Sequence, residues 1–260
     1  PSASRVVRTG RGASVFKDHF SERSRAYAAC RPSYPPALAA WLARVAPARG
    51  RVWEAGCGSG QLSVQLAEHF AGIVATDASA AQLAHARPHA RVTYLVGLAE
   101  ACALPDACAD LAVAAQAAHW FDLPRYFAEV ARVVAPGGVV AIAGYGNAII
   151  DEDRSQARFV RFYDQEVGAW WPRERRMIED GYASIAFPFE EIDVPAFDMR
   201  QSWTAEQMIG YVHTWSAVRA FEREHGSAAF AAFAEELRSL WGDGARTVVW
   251  PMPVRVGRVT

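Results

Sequence analysis

The chain has 260 residues, 52% of them hydrophobic, with 27 basic against 28 acidic side chains and a net charge of −1. At roughly 150 residues per domain, that is one large α/β unit or a core with a cap, and it can bury a core without disulfides or metal. The balanced charge argues against a nucleic-acid partner, which selects for a basic footprint. No run reaches the roughly 18 to 20 apolar residues of a membrane span. The arginine-rich start, residues 1–14, lacks the apolar centre of a secretory signal and reads as a frayed terminus. Cys30, Cys57, Cys102 and Cys108 show no C-x-x-C spacing. Packing thiols in a reducing, cytoplasmic setting are expected.

Between Arg51 and Tyr145, short apolar runs alternate with amphipathic segments, the pattern of a parallel α/β sheet. Strands are predicted at 51–55, 73–76, 91–96, 111–115 and 139–145. The spacing of Leu62, Leu66 and Phe70 predicts a helix over 61–70, and Ser79 caps a short helix carrying Leu83. Asp122 caps a helix whose Leu123, Tyr126, Phe127, Val130 and Val133 share one face, with Pro136-Gly137-Gly138 as its stop. After Tyr145 the rhythm changes. One helix is predicted over 151–171, an extended segment over 187–203, and a capping box at Thr204-Ala205-Glu206-Gln207. Ser227 opens a helix up to Trp241, and a last strand, 247–256, is interrupted by Pro251 and Pro253. The expected division is a flexible segment and lid start at 1–26, a ligand-binding core at 27–145, a helical cap at 146–186, and a completing C-terminal part at 187–260.

The most informative segment is Glu54-Ala55-Gly56-Cys57-Gly58-Ser59-Gly60-Gln61, entered by a strand and left by a helix. Glycines there permit a tight turn and let a ligand approach the backbone. Asp77 ends the second strand, where a carboxylate can accept two ribose hydroxyls. A dinucleotide loop needs G-x-G-x-x-G to cradle a pyrophosphate. Here the third glycine falls one residue early, and Gln61 stands in its place. Glu54 adds an acid that suits a cationic ligand better than a diphosphate. S-adenosylmethionine, with a sulfonium, an amine and a ribose diol but no phosphate, fits these features.

The segment 54–60 resembles the first motif of class I S-adenosylmethionine-dependent methyltransferases of the methyltransferase type 11 kind. The resemblance continues in Asp77, in Gly97-Leu98-Ala99-Glu100, in Asp110-Leu111 and in the run 132–138. Tyr27-Ala28-Ala29-Cys30-Arg31-Pro32-Ser33-Tyr34-Pro35 and Gln116-Ala117-Ala118-His119-Trp120-Phe121-Asp122 are similar to the trans-aconitate methyltransferase-like branch. The resemblance implies a three-layer, Rossmann-like, seven-stranded, mostly parallel sheet with an antiparallel last strand and a helical cap. It implies that Gly56, Gly58 and Gly60 hold the methionine part and ribose, that Glu54 lies near the amine, and that Asp77 takes the ribose diol. Ala78 would lie beside the adenine, Leu98, Ala99 and Glu100 at its edge, and Gln116 in the methyl-donor pocket. Many relatives carry an acid where Leu98 stands, so backbone groups would serve the adenine amine here. Tyr27 and Arg31 would belong to a lid over the cofactor.

Methyl transfer needs chiefly that donor and nucleophile be held in line. His119, at the carboxyl edge of the sheet, is a candidate general base, or a buttress of the pocket. Arg31 is a candidate for pairing with a carboxylate, of the donor or of an acidic acceptor. Among Trp170, Trp171, Trp203, Trp215 and Trp241, most are expected in the core and one or two over an acceptor. Arg173-Glu174-Arg175-Arg176 reads as a solvated face, and His85 and His89 carry no metal-site pattern. The expected function is transfer of a methyl group to a small-molecule acceptor, a carboxylate among them. The alternatives are a nicotinamide-dependent oxidoreductase and a non-catalytic S-adenosylmethionine-binding protein.

Overall fold

The computed structural model describes residues 32–260. The predicted segment 1–26 and the candidates Tyr27 and Arg31 therefore lie outside the described residues. Strands β1 (Arg51–Ala55), β2 (Gly72–Asp77), β3 (Val92–Val96), β4 (Ala109–Ala115) and β5 (Val134–Ala143) run parallel, in the order β3-β2-β1-β4-β5. Seven strands form this sheet. Beyond β5 lie the chain-final strand (Val254–Arg258), antiparallel to it, and a two-residue edge strand (Glu190–Glu191).

Alternation along each central strand feeds two separate cores. Val52, Leu111, Val113, Val139 and Ala141 face one side, against Leu38 and Leu42 of α1 (Pro36–Val45) and Leu62 and Leu66 of α2 (Gln61–Leu66). Trp53, Ala112, Ala114, Val140 and Ile142 face the other. There they meet Tyr126, Phe127, Val130 and Val133, the predicted stripe of a helix spanning Leu123–Val133. Ser79 caps the short α3 (Ala80–Leu83) by accepting from the Gln82 amide, and Asp122 caps Leu123–Val133, which is α4, by accepting from the Arg125 amide. The result is the expected three-layer α/β sandwich.

Four local expectations change. Helix α2 ends at Leu66, although Phe70 is still buried. Helix α4 ends at Val133, and the Pro-Gly-Gly run lies inside β5, where Ala109 pairs with Val134 but Leu111 pairs with Val139. The run is a bulge, and Gly138 has no room for a Cβ, which would lie 2.4 Å from Val134. The single helix predicted over 151–171 is instead α5 (Asp153–Arg161), a π-turn (Phe162–Glu166) and a 3-10 turn (Gly168–Trp170). A straight helix would carry residue i+8 about 12 Å along its axis. The wide turn instead brings Glu166 back to 2.9 Å from the guanidinium of Arg158, which is buried.

The predicted last strand is two strands. Pro253, which has no N–H for a ladder, separates β9 (Arg246–Met252) from β10 (Val254–Arg258). Strand β9 joins a second, antiparallel sheet between β6 (Ile149–Ile150) and β8 (Phe197–Trp203), while β10 pairs with β5. The edge strand Glu190–Glu191 is β7. Against β8 packs α7 (Ala205–His213), which carries the predicted capping box, and against α7 pack α8 (Ser216–His225) and α9 (Ala228–Trp241). A short α6 (Arg176–Glu179) follows the 3-10 turns. Among the described residues, no helix is long and apolar enough to cross a membrane.

Candidate active site

In strand order β3-β2-β1-β4-β5, the chain reverses direction between β1 and β4, and the carboxyl ends of the strands there leave a crevice. A cavity of about 720 Å³ occupies it, within the range of small-molecule sites. Glu54, Gly56, Gly58, Asp77, Ala78, Leu98, Ala99, Glu100 and Gln116 all line it. Nine candidates spread over 63 positions of sequence are thus brought together.

The glycine loop is shaped by three residues with left-handed backbones, at φ +68° for Gly56, +55° for Gly58 and +73° for Gly60. Their roles differ. A Cβ on Gly56 would lie 2.5 Å from Ala117, and one on Gly60 2.1 Å from the Tyr94 hydroxyl, so these two let the loop pack inward. A Cβ on Gly58 would meet nothing within 4 Å; this glycine leaves space over the backbone, where a ligand can approach. Gly60 does not line the cavity itself. The loop is tied to β2, with the Cys57 amide donating to the Thr76 carbonyl at 3.0 Å and the Gly58 amide to Asp77 Oδ2 at 2.8 Å. Asp77 Oδ1 accepts from the Ser79 amide at 2.8 Å. Both oxygens are oriented, and an ionised carboxylate has further lone pairs for hydroxyl donors.

Glu54 is 2% exposed and accepts a hydrogen bond from the Ser63 hydroxyl. Burial, with the nearby charge of Asp77 adding to it, pushes its carboxyl up to about 8. With no cation beside it among the described residues, Glu54 is held protonated at neutral pH. Glu100 Oε1 accepts from the Asp122 amide at 2.8 Å, which occupies that side chain at the start of α4. Gln116 has a strained backbone, φ +52°. It is over-determined by neighbours: its amide donates to the Ala143 carbonyl at 2.7 Å, and its Oε1 accepts from the Tyr145 amide at 2.7 Å.

The cavity fits S-adenosylmethionine. Open space over Gly58 admits a ligand to the loop, and Asp77 presents oriented acceptors for a diol. The buried Glu54 is an acid waiting for a cation. No cluster of basic side chains that a diphosphate would need lines this space; Arg173 is its one basic lining residue among those described.

His119 is placed differently. It lies on a 3-10 turn (Ala118–Trp120) after β4, is 6% exposed, and does not line the large cavity. It lines a second, smaller chamber of about 60 Å³ that shares Gln116, Trp120 and Pro172 with the first. Burial, and secondarily the charge of Arg175, hold its imidazole down at about 3, so it is neutral. Its Nδ1 has no hydrogen-bond partner among the described residues.

Arg175 corrects the reading of 173–176 as a solvated face. Its side chain is only 15% exposed and lines the small chamber, while Arg173, Glu174 and Arg176 are exposed. Its Nε donates to the Tyr163 hydroxyl at 2.8 Å and its Nη2 to Asn147 at 2.9 Å, and its guanidinium lies 4.6 Å from the Trp171 ring. Trp171, four residues earlier, is the signal that sets this arginine apart from its neighbours. Of the tryptophans, Trp203, Trp215 and Trp241 are buried, Trp170 lines the large cavity, and Trp171 and Trp215 line the chamber. Among the described residues no histidine, cysteine or acid cluster could hold a metal ion.

Known proteins agree with this geometry. A methyltransferase domain family matches residues 53–142. A candidate methyltransferase of Dictyostelium discoideum is 32% identical over 209 residues, 79% of this chain and 80% of that protein. A solved structure of a candidate type II methyltransferase from Anaeromyxobacter dehalogenans is 44% identical, covers 88% of this chain and 98% of its own, and superposes with a TM-score of 0.82. A malonyl-[acyl-carrier protein] O-methyltransferase of Pectobacterium atrosepticum is 38% identical over 104 residues, 39% of this chain and 41% of that protein.

Proposed function

This chain belongs to the class I S-adenosylmethionine-dependent methyltransferases, and on that premise we propose that it methylates a small-molecule acceptor that carries a carboxylate. S-adenosylmethionine supplies a methyl carbon on a sulfonium, whose C–S bond breaks with its electron pair going to sulfur as the acceptor's lone pair bonds to carbon. The nicotinamide alternative falls with the family membership. The finer likeness of 27–35 and 116–122 to the trans-aconitate methyltransferase-like branch supports an acidic acceptor.

The observation that carries the reading is the convergence of the glycine loop, Asp77 and Glu54 on one cavity at the strand-order reversal. In this assignment Gly56, Gly58 and Gly60 shape the seat of the methionine part, and Asp77 accepts from the ribose diol. Glu54 takes the ammonium, which restores the charge that burial suppresses. Ala78, Leu98 and Ala99 hold the adenine, with Glu100 contributing backbone because its side chain is engaged by Asp122. Gln116 aims the methyl-donor end. The segment 146–186 caps the acceptor side, since Trp170 and Pro172 line the large cavity. His119, buried and neutral, holds the acceptor by hydrogen bonding; a group whose conjugate acid lies near 3 is a weak base at neutral pH.

The test is transfer of labelled methyl from S-adenosylmethionine to the members of a metabolite extract, with S-adenosylhomocysteine affinity measured alongside. A labelled, organic-acid product is expected. Tight cofactor binding with no turnover across broad extracts would favour a non-catalytic cofactor-binding protein instead.

A further inference from the structure

The small chamber beside the cofactor cavity has the features of a built receptor, with polar side chains set among aromatic core residues. Its 60 Å³ holds a compact group of roughly four to six heavy atoms, since one water needs about 10–15 Å³ of such space. Arg175 presents one face of a guanidinium that is already fixed in place: Nε and Nη2 are engaged, Trp171 covers it, and Nη1 makes no hydrogen bond to the described residues. Arg219 also lines the chamber. Opposing them is Glu179, 3.8 Å from Arg175 and 41% exposed, so its charge is screened by water. Among the described residues, no carboxylate lines the chamber itself.

The second observation is independent of the first. His119 lines the same chamber, and its buried Nδ1 has no hydrogen-bond partner among the described residues, an arrangement that is costly unless something pairs with it. A neutral imidazole donates one N–H, and an anion beside it selects the tautomer with that proton on Nδ1. Trp171 and Trp215 supply flat, apolar walls. One fixed cation, one free donor and flat walls are the complement of a single planar carboxylate.

Position then decides its part in the reaction. The chamber lies across Gln116, Trp120 and Pro172 from the cavity that takes the cofactor. A carboxylate held between Arg175 and His119 sits in the chamber rather than in the large cavity with the methyl carbon. We propose that this chamber is an anchoring subsite for a carboxylate of the acceptor that is not itself methylated, held by Arg175 and His119. The acceptor must then carry its nucleophile at a second position that extends past Gln116 into the large cavity. This rests on the assignment of the large cavity to S-adenosylmethionine.

Propionate is a probe of the right size, carrying the anchor and no second nucleophile. With the protein saturated by S-adenosylhomocysteine, propionate should shift the ¹⁵N resonances of His119, whereas propionamide should not. Arg175→Gln should weaken propionate binding about tenfold or more while cofactor affinity stays within twofold. Labelled S-adenosylmethionine should yield no methyl propionate. Absence of a His119 response in the wild type, equal binding of the amide, or formation of methyl propionate would each overturn the anchor. Because Arg175 also supports Tyr163 and Asn147, the wild-type histidine spectrum decides the matter even where the variant folds poorly. S-adenosylhomocysteine binding is measured first: its failure overturns the cofactor assignment itself, whereas its success with a silent His119 overturns the chamber alone.

Discussion

The large cavity and the small chamber share a wall at Gln116, yet backbone builds the first and side chains build the second. Around the large cavity, left-handed glycines, strand ends and amides of the loop do most of the shaping, with Asp77 tying two loops together. The chamber is assembled from side chains at 119, 175 and 211–219, each on a different element. A backbone-built site can hold one common cofactor across many sequences. A side-chain-built site can be re-cut for each acceptor by a few substitutions, which is how one fold serves many substrates.

The sharpest way to break this contrast is at Asp77. Asp77→Ala removes the proposed diol acceptors and both amide anchors, and hydrogen bonds to a charged group contribute about 1.5–3 kcal/mol each. S-adenosylhomocysteine affinity should fall by about 10²–10³-fold in calorimetry, with a native circular-dichroism spectrum. An unchanged affinity would place the cofactor elsewhere.

The two glycines separate shape from space. Gly60→Ala forces a Cβ toward the Tyr94 hydroxyl at 2.1 Å in a left-handed backbone, so the loop must move. The expected loss is about 2–3 kcal/mol of stability, read as a drop in Tm, together with weaker cofactor binding. Gly58→Ala meets no neighbour and costs only about 1–2 kcal/mol of backbone strain. Its larger consequence should be in affinity, because its Cβ enters the space over the loop. Equal effects of the two on binding and Tm would mean that Gly58 is structural as well.

This difference also explains what could be read from sequence. The five parallel strands, the caps at Ser79 and Asp122, and the cavity lining from Glu54 to Gln116 come from consecutive short segments, where period, glycine spacing and strand ends carry the information. The second sheet was not legible, because β6 has two residues and β9 looks continuous with β10 until Pro253 redirects it. The π-turn after α5 answers a pairing of Arg158 with Glu166 and Glu236 that no local pattern announces. Arg175 was hidden for the same reason. In sequence it is one of four alternating charges, and only folding turns it toward Trp171 and His119. His119 itself was legible as a candidate, but its separation from the cofactor cavity was not.

Glu54 offers a pH readout of the large cavity. Its folded-state value of about 8 lies above the ordinary 4.5, so the folded protein without cofactor holds a proton that the unfolded chain releases. Its contribution is therefore lost progressively as pH rises from about 4.5 through 8, at about 1.4 kcal/mol per pH unit within that window. Glu54→Gln should remove this slope. Between pH 6 and 7 the cofactor-free wild type should lose about 1.4 kcal/mol relative to the variant in denaturant titrations, whereas parallel pH profiles would show that Glu54 is already ionised. The same variant should bind S-adenosylhomocysteine more weakly, since the amide offers the ammonium no charge.

The smallest effect tests whether the two sites are separable at all. Trp171 covers the Arg175 guanidinium at 4.6 Å and donates from Nε1 to the Tyr163 carbonyl at 3.3 Å. Trp171→Phe keeps an aromatic wall but weakens the cation–π contact and drops one donor. Such contacts are worth about 0.5–1 kcal/mol in partly exposed settings, which predicts a two- to fivefold loss of propionate affinity. Cofactor affinity should stay within twofold, because Trp171 does not line the large cavity. A parallel loss of both would mean that the shared wall at Gln116 and Trp120 transmits strain, and that acceptor and cofactor bind one continuous site. A loss of propionate binding alone keeps the wall rigid, as the strained Gln116, held through both its amide and its side chain, requires.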